Sequence, residues 1–456
     1  MIATLLGVVL AVQRPTPQYR DSAEVARLLV ALRGSDSTVC ELAGRALTNF
    51  GGLWHPVWDL PMPMPMPMPI PMPMPFAGTG GPWVHVKPGP HGMRWGGEAD
   101  SATLGAFRAA LRDQSRCVRH IAARVVGSAR PAWAYPTFTA LQRDSDPGLR
   151  ETGLLGLGKI EDSRAQGALR DGLKDRDGAV RAMAAWALGQ LHPLSAIEAL
   201  QGALGDDVAA VRGRAAWALG QIRSAQAIPA LERALRDRSA EVRRMAAWAI
   251  GQIDSPLGVA ALRVALDDAD AEVRQTAIWA LAQIQDASAV EPLSRVSRDP
   301  DAQVRRTAAW ALGQIQSAGA VAALEPLARD RSTDVKSTAL WALGQIQSET
   351  GVEAAASGLK DRDPDVRIMA AWALGQIQAG SAVKHLTAAL KDEDEEVRIA
   401  AAWALGQIQS AEAVPALEAA QRDESGAVRR AASWALAQSE EGRGPRVRSR
   451  PRIRIR

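Results

Sequence analysis

Cysteine is almost absent from this 456-residue chain, which carries only Cys40 and Cys117. That excludes a dense disulfide framework and a four-cysteine metal site, and leaves one candidate bridge for an oxidising compartment. Histidine is scarce as well. Of six, three lie between residues 55 and 91, while His120, His192 and His385 stand at unrelated positions. No His-Glu pair, Cys-x-x-Cys, nucleophile elbow or phosphate-binding glycine loop occurs, so the motif-bearing hydrolases, redox proteins and nucleotide binders find no support. Beyond the first dozen residues there is no 18-residue apolar run, so the remainder contains no membrane-spanning helix. Phenylalanine and tyrosine number only four and two, yet there are 14 tryptophans.

Nine of those tryptophans are strictly periodic. Trp186, Trp217, Trp248, Trp279, Trp310, Trp341, Trp372, Trp403 and Trp434 are spaced 31 residues apart, each in a near copy of AAWALGQI. A fixed period of this size means one helical hairpin per unit, whose apolar face is covered only by stacking on its neighbours. The valine that opens each signature helix recurs from Val180 to Val428, with weaker copies at Val118 and Leu149 and a further one at Val39. The 79 residues from Val39 to Val118 hold one ordinary repeat plus a 48-residue insertion. The fold class is therefore all-α, a solenoid of about twelve two-helix repeats, with a Pro/Met-rich insertion and a basic C-terminal tail both expected to be disordered.

Start signals support the hairpins. Ser or Asp stands three residues before the key valine in most units, Ser115, Asp146, Asp177, Ser239, Asp270, Asp301, Ser332, Asp363, Asp394 and Ser425, where a side-chain oxygen can cap free amides. Pro147 and Pro364 follow two of these, at a first turn that does not need the missing N–H. On a helical wheel, Val180, Ala184, Ala187, Leu188 and Leu191 share the core stripe and Trp186 falls roughly opposite. Gln190 lies one turn beyond Trp186. The same i, i+4 pairing recurs as Trp217/Gln221, Trp248/Gln252, Trp279/Gln283, Trp310/Gln314, Trp341/Gln345, Trp372/Gln376, Trp403/Gln407 and Trp434/Gln438. Two expectations compete: the rings shield stacked second helices, or they form an exposed strip lining a binding groove. An exposed aromatic strip marks an interaction surface, and the groove is the favoured expectation.

The recurring D-x-x-x-x-V-R-x-x-A-A-x-A-L-G-x-I, as in Asp237 to Ile253 and Asp361 to Ile377, resembles the 31-residue HEAT-like repeat of phycobilisome lyase subunits. The resemblance covers about residues 105–438. It implies a right-handed superhelix whose second helices line the concave side. It also implies that Asp five before the valine and the base just after it, as in Asp299 and Arg305, form a structural ladder between repeats. Members of the family include lyases, chaperone-like factors and plain scaffolds. The Trp-x-x-x-Gln pairing is similar to the Trp-x-x-x-Asn ladder by which armadillo-repeat nuclear import receptors hold extended peptides, although the acidic residues of those grooves are missing.

The organisation is then a signal peptide or short anchor at 1–14, a first divergent repeat at 15–50, a low-complexity insertion at 51–98, the solenoid at 99–438 and an Arg-rich tail at 439–456. Ile2 to Val12 supplies the apolar core of an export signal, with Val9-Leu10-Ala11 as a small-residue cleavage site, so a periplasmic or secreted location is expected, with the cytoplasm as the alternative. The function expected is a non-catalytic scaffold, not an enzyme, that takes a protein or extended peptide in a Trp/Gln-lined groove without a cofactor. Proline-rich ligands suit such a surface. One alternative is Cu(I) binding through Met62, Met64, Met66, Met68, Met72 and Met74, whose thioethers alternate with proline; another is a chromophore lyase or chaperone. Seven arginines in 442–456 carry the positive charge and leave the body at −3 from a net +4. The tail could touch a membrane surface or polyanion, whereas a nucleic-acid partner is not expected of a slightly acidic body.

Overall fold

The computed structural model describes residues 22–33 and 101–441. The apolar start, Val39, Cys40, the insertion with its methionines, and the arginines of the tail lie outside the described residues, as do the expectations attached to them. Cys117 takes part in a disulfide. Every regular element among the described residues is helical. They divide into two compact units at Ala261/Leu262.

In the first unit the second helices of five repeats, Arg116–Ala129, Pro147–Ile160, Gly178–Leu191, Ala209–Ile222 and Ala240–Ile253, pack side by side in chain order. The short helix Ser22–Ala31 packs against Ser101–Ala110 through Val25 and Leu29, and Arg33 Nε donates to Asp113 at 2.8 Å. In the second unit six second helices run from Ala271–Ile284 to Gly426–Glu441 in the same manner. Each unit is thus a stack of two-helix repeats, an all-α solenoid as the period requires. The first helices are short: Leu194–Ala196 is a single 3-10 turn that leads into the helix Ile197–Ala203.

The aspartate caps behave as expected: Asp177, Asp270, Asp301 and Asp394 each accept from two backbone N–H groups, and Pro147 and Pro364 occupy the first turn. Ser115, Ser239 and Ser332 make no such bond, which corrects the expectation for them. Their own N–H groups are taken instead by the aspartate two residues earlier, as in Ser332 N to Asp330 Oδ1 at 2.8 Å. That aspartate does two jobs. Arg305 Nε and Nη2 reach its two carboxylate oxygens at 2.7 and 2.9 Å, while Arg305 Nη1 donates to the carbonyls of Asp299 and Pro300. The same fork joins Arg150 to Asp175, Arg181 to Asp206 and Arg212 to Asp237 in the first unit. In the second unit it recurs at Arg274 to Asp299 and Arg398 to Asp423, with Lys336 to Asp361 as a single-point version. Each arginine ties its own turn to the next repeat, a bidentate geometry that lysine cannot reproduce.

Candidate functional site

The tryptophans do not form an exposed strip. Trp186, Trp217, Trp248, Trp279, Trp310 and Trp403 are between 6% and 9% exposed, and Trp341, Trp372 and Trp434 are half-buried. The physical reason lies in the limit of the wheel. A second helix in a stack is covered by its own first helix and also by the second helices before and after it, so only a narrow outer ridge meets solvent. The ring then turns sideways onto the preceding repeat. A Cβ placed on Gly189 would stand 2.5 Å from Trp217 Cζ3 and 2.9 Å from Ala218 Cα, and one on Gly406 would stand at the same distances from Trp434 Cζ3 and Ala435 Cα. Gly158, Gly220, Gly313, Gly344 and Gly375 meet Trp186, Trp248, Trp341, Trp372 and Trp403 in the same way. The glycine of LGQ is therefore the seat of the next tryptophan. Ala282 is the exception: it takes the glycine position in the repeat before Trp310.

What remains accessible of the paired residues is polar. Gln190, Gln221, Gln252, Gln314, Gln345, Gln376, Gln407 and Gln438 are half-buried and Gln283 is exposed. The indole N–H of Trp248 is buried without a partner, and those of Trp186, Trp217, Trp279, Trp310, Trp341, Trp372 and Trp403 donate no hydrogen bond among the described residues. Neighbouring positions on the second helices are less available. Met183, Met245 and Met369 are buried, and Thr276, Thr307 and Thr338 return their hydroxyls to carbonyls four residues back. Arg244 pairs with Glu241, so the ridge is not free of acid there.

Sequence reasoning missed a second glutamine column. The residue closing each second helix adopts a left-handed conformation, φ 51° to 55°, at ten non-glycine positions. In the first unit these are Arg130, Glu161, His192, Arg223 and Asp254; in the second they are Gln285, Gln316, Gln347, Gln378 and Gln409, and all ten are exposed. The signal was legible as the repeated GQIQ. Residue type gave no hint of the backbone state, since glycine or asparagine is usual there.

Lys159 was missed too. It takes the glutamine position of its repeat and lies with Nζ 5.3 Å from the Trp186 ring centroid. Burial, reinforced by the charge of Arg124 and only partly opposed by Glu161, lowers its pKa from the ordinary 10.5. No hydrogen bond contributes. A cation more readily deprotonated in the folded chain destabilises the fold while the unfolded lysine is charged, and this penalty fades as pH rises through the folded pKa. Lys159→Met is accordingly expected to stabilise by about 1 kcal/mol at pH 7, with a smaller gain at alkaline pH. Urea denaturation at both pH values checks this; a loss at pH 7 would contradict it.

An open cavity of about 460 Å³ lined by Arg130, Tyr135, Asp162 and Arg164 has Arg130 against Glu161 at 2.7 Å and Arg164 against Asp162. His120 is buried, 3.5 Å from Glu151, with its pKa lowered chiefly by desolvation; His385 lies 3.3 Å from Glu353, and His192 is one of the exposed helix ends. Among the described residues there is no cluster of three or more His, Cys, Asp or Glu side chains suited to a metal, and no helix long and apolar enough to cross a membrane.

Comparison with known proteins places this geometry. No curated protein matches the chain by sequence. Among solved structures, importin beta is 14% identical over 96% of this chain and 65% of that chain, with a TM-score of 0.57. A mutant of Kap121p is 14% identical over 96% of this chain and 52% of that chain, with a TM-score of 0.50. The chain thus spans between half and two thirds of these structures, and the likeness is one of fold. The family model for HEAT repeats matches residues 106–178, 167–241, 233–301, 293–359 and 352–437. With that span exceeding half of its length, the chain belongs to the HEAT-repeat family.

Proposed function

We propose that the protein is a non-catalytic scaffold that binds a protein or extended peptide along the outer ridge of its second helices. Within the family, the 31-residue signature favours the phycobilisome-lyase type of repeat. The observation that carries the binding reading is the recurrence, in every tryptophan-bearing repeat, of an accessible glutamine one turn beyond an indole whose ring is packed; from Trp186 to Trp403 the indole N–H has no partner among the described residues. Packing alone accounts for the ring. It does not account for a glutamine at the next turn, because a half-exposed helix position accepts lysine, glutamate or arginine equally well. Amide donors at one per repeat suit main-chain carbonyls, which every peptide offers irrespective of sequence. Export and contact of the Arg-rich tail with anionic surfaces belong to the same proposal and rest on sequence alone.

Selection of binders from a random-peptide display library against the full chain tests the reading. A selected peptide should protect the second helices from hydrogen exchange, and the triple variant Gln314→Ala, Gln345→Ala, Gln376→Ala should bind it roughly 100-fold more weakly, as the loss of about three hydrogen bonds implies. Protection confined to the first helices, or no selectable peptide, would refute it.

A further inference from the structure

Five of the six repeats of the second unit carry glutamine twice. One column is the set already described, from Gln283 to Gln407; the other is the left-handed set Gln285, Gln316, Gln347, Gln378 and Gln409. Two hydrogen bonds show that the columns interleave. Gln378 Nε2 donates to the carbonyl of Gln407, and in the first unit Arg223 Nη2, from the equivalent helix end, donates to Gln252 Oε1 of the next repeat. At these two places a helix-end side chain reaches the glutamine position of its neighbour, so the two columns lie within reach of each other along one end of the second helices. Apart from Gln378, none of the glutamines in these two columns makes a side-chain hydrogen bond among the described residues.

The backbone adds a second point. Each left-handed residue closes its helix, as in Gln347 N to Leu343 O at 3.2 Å, a closure that glycine makes without steric penalty. Five successive glutamines occupy the strained state, where the first unit has charged residues or histidine. Five identical exposed amides in a row, only Gln378 of which is hydrogen-bonded within the described residues, leave donors that the fold itself does not use.

Register selects the ligand. Neighbouring helices pack about 8 to 10 Å apart. A polyproline II chain advances about 9 Å per three-residue turn and brings an equivalent carbonyl round once per turn. An extended β-chain repeats every two residues, about 6.6 Å, and falls out of step after one repeat. Proline has no N–H, so such a ligand presents acceptors only, and its carbonyls have no internal partners. Glutamine Nε2 groups supply donors, and the uncharged strip asks for no charge on the ligand. We infer that the glutamine strip of residues 283–409 binds a proline-rich segment of a partner protein in the polyproline II conformation, with one ligand turn per repeat. This rests on the scaffold reading and adds to it the ligand conformation and a distinct row of residues.

The test uses the full chain and a fluorescein-labelled (Pro)15 peptide, about 46 Å long and so able to span five repeats, with a Gly/Ser peptide of equal length as control. Anisotropy should show saturable binding of (Pro)15 at least 10-fold tighter than of the control. In the variant Gln316→Gly, Gln347→Gly, Gln378→Gly, binding should fall 10-fold or more while thermal stability is kept or raised, since glycine suits these positions. Gln201→Gly, on a first helix of the other unit, is the control substitution and should leave binding unchanged. Equal binding of both peptides, no binding of (Pro)15, or full binding by the glycine variant would overturn the inference. If library-selected peptides still footprint on the second helices in that event, the scaffold reading survives and only the polyproline strip is lost.

Discussion

Replacing Arg305 by leucine is expected to destabilise the second unit by about 3 kcal/mol, because removing one partner of a buried, hydrogen-bonded pair leaves the other uncompensated. Arg305 is 5% exposed. The substitution strands the Asp330 carboxylate and frees the carbonyls of Asp299 and Pro300. The loss falls on one interface between repeats. In a quasi-one-dimensional array that weakens coupling, so urea unfolding should become broader or biphasic. Arg305→Lys should lose less, as Lys336 fills the corresponding place opposite Asp361. A single sharp transition with an unchanged midpoint in Arg305→Leu would contradict the ladder.

The ladder also sets an acid limit. Burial works against ionisation of Asp330, but the Arg305 hydrogen bond, the Ser332 N–H and the arginine charge outweigh it and hold its pKa below the usual 3.8. Asp175, Asp237 and Asp361 are lowered by the same balance, with Lys336 in the arginine's place at Asp361. A depressed carboxylate contributes stability that is present above its unfolded pKa and is lost as pH falls through the folded one. Acid unfolding should therefore set in below the ordinary aspartate range, and Arg305→Leu should flatten that dependence in the second unit.

Gly189→Ala is expected to destabilise by about 2 kcal/mol, the reverse of what helix propensity alone dictates. Alanine is the better helix former by about 1 kcal/mol. Here its Cβ would stand 2.5 Å from Trp217 Cζ3 and 2.9 Å from Ala218 Cα, so the next helix must move away, and backbone does not yield cheaply. Gly202→Ala is the control: nothing lies within 4 Å of its Cβ position, and a gain of about 1 kcal/mol is expected there. Opposite signs at the two glycines, read as midpoint shifts in urea, carry the argument; a gain at both would show that the tryptophan does not seat on glycine.

Much of the fold was legible because period is a property of the whole array. Thirty-one-residue spacing, the aspartate caps and the Asp/Arg alternation each point to stacked hairpins, and the pairs Arg150–Asp175 through Arg398–Asp423 stand where that alternation places them. The tryptophan orientation was misread for a physical reason. A wheel assigns one buried face, but Trp186 sits in a helix whose residues Met183 to Gly189 are all buried, because neighbours flank it on both sides. The glycine of LGQ carried the missing information: a regularly spaced glycine inside a helix marks close approach, and its partner is the next ring. The glutamine helix ends were hidden differently. Left-handed backbone at Gln285 or Gln347 follows from how the helix closes, and glutamine is not a residue type that announces it.

The most direct test of the central claim, that the repeated tryptophans interlock the repeats and leave their glutamines to bind, is acrylamide quenching of a chain in which Trp54, Trp58, Trp83, Trp95 and Trp133 are replaced by phenylalanine. Only the nine repeat tryptophans then report. The account predicts blue-shifted emission and weak quenching, unchanged when a selected peptide binds. Red-shifted, readily quenched emission that becomes protected on peptide binding would contradict it and restore the rings as an open binding surface.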